Sequence, residues 1–125
     1  MNELTAFYKS VLEQDNAAVV ICNLNHEIIY MNPAAVENYK KYGGQALLGQ
    51  SLFGCHNEKS CEMIEKVVSW FAASEDHNKV HTFFNVKQQK DVYMTALRDD
   101  SGKLIGYYEK HEYRTPDESP LYYMP

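Results

Sequence analysis

Cys55 and His56 stand side by side just ahead of a segment with helical periodicity that begins near residue 58. A helix N-terminus carries partial positive charge, which disfavours a protonated imidazole and favours a thiolate facing it. The dipole would then tend to keep His56 neutral, with one ring nitrogen able to donate and the other to accept. Two readings stay open: the pair touches a ligand, or His56 caps the loop while Cys55 fills space. Zinc held by Cys55, His56 and Cys61 would need a fourth ligand and tetrahedral convergence. Adjacent residues rarely point at one ion, and Cys61 falls on an apolar stripe, so no metal site is expected. Nucleophilic catalysis would need Cys55 beside a base that a third group orients. Gly43-Gly44 lacks the Lys and Ser/Thr of a phosphate loop. No enzyme is expected.

Hydrophobic periodicity outlines the elements that must position these residues. Leu4, Phe7, Tyr8, Val11 and Leu12 recur at helical spacing, so residues 2–14 read as a short amphipathic helix that needs a surface to pack on. Residues 17–22 and 27–31 read as two strands joined by the turn residues Asn23 to His26. Asn32 can cap a helix that opens at Pro33. Short helical pieces over 34–50 break at Gly43-Gly44 and Gly49. A longer helix near 58–73, capped by Asn57, carries the stripe Cys61, Ile64, Val68, Phe71, widened by Met63, Val67 and Trp70. Residues 79–86, 91–98 and 103–113 read as strands, divided by turns at 87–90 and 99–102. The chain divides into an N-terminal helix (1–14), a folded domain (15–113) and an irregular, proline-containing tail (114–125). The class is α+β with an antiparallel sheet.

The 125 residues suffice for one core. Twelve Lys+Arg against seventeen Asp+Glu give a net charge of -5 with no basic block, which argues against a nucleic-acid partner. The N-terminus lacks a basic and an apolar signal region, and the run Ala17 to Cys22 is far too short to span a bilayer. Three cysteines without framework spacing suit reduced thiols, so a cytoplasmic protein with no membrane partner is expected.

Three phrases in this order resemble the PAS family: Ile28-Ile29-Tyr30-Met31-Asn32-Pro33-Ala34-Ala35, Ala46-Leu47-Leu48-Gly49-Gln50-Ser51, and Asp99-Asp100-Ser101-Gly102-Lys103-Leu104-Ile105-Gly106. Gly54-Cys55-His56, Lys59-Ser60 and Glu65-Lys66-Val67-Val68 are similar to the PAS modules that accompany hemerythrin-like domains in some bacterial proteins. Those carry Cys-His-Pro-Pro-Lys-Ser, where this chain has Asn57-Glu58 in place of the prolines. The resemblance implies a five-stranded antiparallel sheet with short helices and one long helix on one face, enclosing a small cavity. It further implies a sensor or signalling module that binds a small ligand or pairs with a second PAS domain. No kinase, cyclase or DNA-binding segment follows, so the effector protein is expected on a separate chain.

On that frame the expected ligand site comprises Cys55, His56, Met63, Ile64, Val67 and Phe71, with Phe84 and Met94 from the strands. Haem would require Cys55 or His56 as an axial ligand, with Met63 or Met94 opposite. The flavin adduct of light-sensing members needs a cysteine three residues after the glycine of its phrase. Counted from Gly49 that position is Leu52, so this chemistry is not expected. Both faces of the last two strands carry apolar bulk, so the face away from the helices is expected to join a homodimer or to pack under the N-terminal helix or the Tyr122-Tyr123 tail of the same chain, and both can hold in a dimer. Its interface is expected to use Leu4, Phe7, Tyr8, Val11, Tyr107 and Tyr113. The alternative is a ligand-free dimerisation module with a filled core.

Overall fold

The computed structural model describes residues 3–122 and 124. Helix α1 spans Glu3–Gln14, and Asn2, the expected first residue, lies outside the described residues. The chain continues through β1 (Ala18–Asn23), β2 (Ile28–Met31), α2 (Pro33–Asn38), and 3-10 turns at Lys40–Tyr42, Gly44–Leu47 and Leu52–Cys55. Then follow α3 (Glu58–Ala73), β3 (Lys79–Asn85), β4 (Lys90–Arg98) and β5 (Leu104–Tyr113). The strands form one antiparallel sheet in the order β2-β1-β5-β4-β3. The expected α+β architecture is the one the chain adopts. Residues 114–122 carry neither helix nor strand, and Tyr123 and Pro125 lie outside the described residues. Among the described residues no helix is long and apolar enough to cross a membrane.

Asn32 joins three elements. Its side-chain Oδ1 accepts from the N–H groups of Ala35 and Val19, both at 2.9 Å, capping α2 and holding β1. Its Nδ2 donates to the carbonyls of Leu12 (3.0 Å) and Ala17 (2.9 Å), which ties down the end of α1. At the start of α3, Asn57 Oδ1 accepts from Ser60 N–H at 2.8 Å. At its end Arg98 reaches across from β4, where Nη2 donates to the carbonyls of Phe71 (2.8 Å), Ser74 (3.0 Å) and His77 (3.1 Å). A guanidinium among C-terminal carbonyls offsets their partial negative charge. The start cap was legible in the sequence; the Arg98 cap, 24 residues beyond Ser74, was not.

The core lies between the sheet and α2, α3 and the turns, and Ile64 and Phe71 of α3 are fully buried in it. Burying each of these side chains contributes roughly 1.5–3 kcal/mol. β5 crosses β1 so closely that a Cβ on Gly106 would come within 2.3 Å of the Cys22 carbonyl oxygen. Only glycine fits that crossing.

Register sorts the two sheet faces. Tyr107, Glu109 and His111 pair with Cys22, Val20 and Ala18, whose side chains enter the core. Tyr107 is fully buried, and its hydroxyl lies 2.8 Å from His26 Nδ1. This corrects the expectation that Tyr107 lines a dimer interface. The face of β5 that carries Tyr107, Glu109 and His111 is the inner one. Tyr108, opposite Ile21, takes the outer position. Tyr113 is half exposed at the end of β5, with Lys90 Nζ 4.7 Å from its ring centre.

Candidate functional site

Three elements bring polar groups to one point under α3. The turn at Lys40–Tyr42 starts from Tyr39, the turn at Leu52–Cys55 delivers His56, and β5 supplies Glu109 and His111. These residues, with Ser60 and Met63 of α3, Thr82 and Phe83 of β3 and Val92 of β4, line a cavity of about 120 Å³. A second, outer chamber of about 330 Å³ shares Ser60, Met63, Thr82 and Phe83 and adds Asn57 and Lys59. The inner space thus continues outward between α3 and β3.

Glu109 is the centre of the cluster and is only 5% exposed. Its Oε1 accepts from the Tyr39 hydroxyl at 2.7 Å and faces His111 Nε2 at 2.8 Å. Its Oε2 lies 3.8 Å from His56 Nε2. Burial alone would raise the carboxyl pKa, but the bond and charge of His111, the charge of His56 and the Tyr39 bond outweigh it. Glu109 therefore titrates below the ordinary carboxylate value and is ionised at neutral pH. The Tyr39 hydroxyl is driven well up by burial and by the same carboxylate, so it remains a donor. His56 Nδ1 sits 2.9 Å from the Leu52 carbonyl, which can only accept, so that nitrogen carries a proton.

His56 and Met63 stand on the cavity wall, as the sequence suggested. Cys55 does not: its thiol donates to the Leu52 carbonyl at 3.2 Å, and burial with the nearby Glu109 charge pushes its pKa up to about 11. The thiolate expected from the helix dipole is not formed, because desolvation outweighs the dipole. Ile64, Val67, Phe71 and Met94 are buried in the core instead of bordering the cavity. Phe84 pairs with Asp91 on the outer face, because a β-bulge between His81 and Phe83 shifts the alternation. Its neighbour Phe83, opposite Val92, faces the cavity instead. Tyr39, Glu109 and His111 were not anticipated as site residues. The one signal for them was a glutamate and a histidine two apart on the face of β5 that also carries Tyr107.

A family model described as PAS fold matches residues 12–110. The chain belongs to the PAS family. No curated protein matches it. Among solved structures this PAS domain is similar to the C-terminal domain of a Streptococcus mutans protein, with 23% identity and a TM-score of 0.65 over 86% of this chain and 83% of that one. It is similar to a PAS domain from Colwellia psychrerythraea, at 15% identity and TM-score 0.66 over 88% and 96%. The Aer2 receptor from Vibrio cholerae, a dual PAS-haem oxygen sensor, shares 14% identity and TM-score 0.57 over 79% and 95%. The residues of the present PAS domain do not fit haem. Its inner cavity of about 120 Å³ is below the roughly 300–1,000 Å³ of pockets for drug-sized ligands. Met94 is in the packed core, and His56 Nε2 is turned towards Glu109.

Proposed function

We propose that this PAS domain is a sensory module that binds a small ligand in the cavity above Glu109 and relays its presence to an effector protein. The observation that supports this reading is the buried carboxylate. One of its oxygens is met by Tyr39 and His111, while the other faces a cavity that continues into an outer chamber. A carboxylate is costly to bury, and a filled core would be built more simply from apolar side chains. The reading is one of binding and not of turnover, since the Cys55 thiol is protonated and held by a carbonyl. Native mass spectrometry of the freshly purified chain tests it. The expected result is a mass above that of the bare chain, falling to it on denaturation, with lower occupancy in His56→Ala. A chain that flies bare, and whose melting temperature no small-metabolite extract raises, would count against it.

A second observation supports pairing of two copies. Leu4, Phe7, Tyr8 and Val11 of α1 are 50–70% exposed and form an apolar face without cover among the described residues. Beneath the end of α1, Val11, Leu12, Ile21, Leu97 and Tyr108 line a groove of about 280 Å³ on the outer sheet face. In the dimer the α1 face of each copy covers the outer sheet of the other, so that ligand and partner sit on opposite faces of one sheet.

A further inference from the structure

We infer that the cavity selects a small organic cation, a protonated amine whose head donates to Glu109 Oε2 and whose apolar body runs outward between α3 and β3. The inference rests on the ligand-binding reading above and names the chemistry of that ligand. It follows from an inventory of donors and acceptors at the inner end. Glu109 Oε1 already faces two donors, the Tyr39 hydroxyl at 2.7 Å and His111 Nε2 at 2.8 Å. Oε2 faces His56 Nε2 at 3.8 Å, beyond hydrogen-bond distance. His56 Nδ1 is committed to the Leu52 carbonyl at 2.9 Å. Glu109 Oε2 therefore faces His56 across a gap, with no hydrogen-bond donor at bonding distance among the described residues.

An ammonium brings three donors and a positive charge to such a gap; a hydroxyl brings one donor, and a carboxylate brings none. The Tyr39 and Phe83 rings border the same space, and aromatic faces attract cations. The inner volume of about 120 Å³ equals roughly four waters at ~30 Å³ each, enough for a head group and a short stem. Met63, Phe83 and Val92 make the walls apolar where that stem would pass. Lys59 and the α3 N-terminus favour an anion, but they border the outer chamber, and Asn57 already occupies the Ser60 N–H. Charge at the inner end decides the head group.

The test is an amide-resonance titration of the full chain with three probes of one shape: phenethylamine, 2-phenylethanol and phenylacetate. The amine is expected to bind at least about tenfold more tightly than the alcohol, since a hydrogen bond between charged partners is the stronger kind. Phenylacetate is expected to bind most weakly. Shifts should centre on Ser60, Met63, Thr82 and Phe83, and Glu109→Gln should bring the amine down to the level of the alcohol. Should that variant fail to fold, the order of the three probes on the wild-type chain decides alone. Alcohol or carboxylate binding at these residues as tightly as the amine overturns cation selection while leaving the ligand reading in place. If no probe at millimolar concentration moves these resonances, both are overturned.

Discussion

Glu109 keeps its charge inside the protein only because Tyr39, His56 and His111 surround it, each delivered by a different stretch of chain from α2 onwards. Its carboxyl pKa lies below the ordinary 4.5, so its contribution to stability is complete above that value. The contribution is lost as pH falls through the lowered folded value, since the unfolded chain then binds the extra proton. Glu109→Gln is therefore expected to flatten the loss of stability below about pH 4.5, measured as urea midpoints across the acid range. Wild-type and variant curves that stay parallel there would show that Glu109 is not held in its charged form. His56 was legible as a chemical residue because it precedes a helix; Glu109 and His111 were not. Their partners come from 53 to 72 residues away in the chain, distances over which sequence pattern carries no register.

At the scale of elements, local signals did most of the positioning. Asn32-Pro33 and Asn57 mark the starts of α2 and α3, because a side-chain oxygen at a cap satisfies an otherwise unpaired N–H. Asn32 does more than cap, since its bonds to Val19, Leu12 and Ala17 bind α1 and β1 to α2. Asn32→Ala is expected to cost roughly 2–4 kcal/mol, from the lost cap and the buried groups left unpaired. Urea unfolding measures it, and a cost below about 1 kcal/mol would reduce Asn32 to an ordinary cap. Strand phase was less secure. A bulge near Thr82 exchanged Phe84 for Phe83 on the inner face, and no residue in that stretch announces the bulge.

For the molecule as a whole, helices cover one face of the sheet, and α1 lies towards the other with its apolar side exposed. Exposed apolar patches of this kind mark interaction surfaces. The chain is expected to sediment as a dimer, and the double substitution Phe7→Glu with Val11→Glu to shift it to monomer while leaving the folded spectrum intact. A dimer that survives both changes would sink the role of α1. The same variant should keep the affinity of the wild type for phenethylamine, because the cavity lies on the opposite side of the sheet.

The sequence by itself determined the element order, the antiparallel α+β class and the family, because caps, turns and apolar periodicity act within a few residues of where they are written. It also singled out His56 and Met63. Only the tertiary structure decided which face of β5 turns inward, and so moved Tyr107 from the expected interface into the core. Alternation along a strand separates two faces but does not say which one is buried when both carry aromatic and charged residues. That choice depends on whether the polar side chains of one face find partners, and Glu109 and His111 find theirs only when Tyr39 and His56 have folded over them.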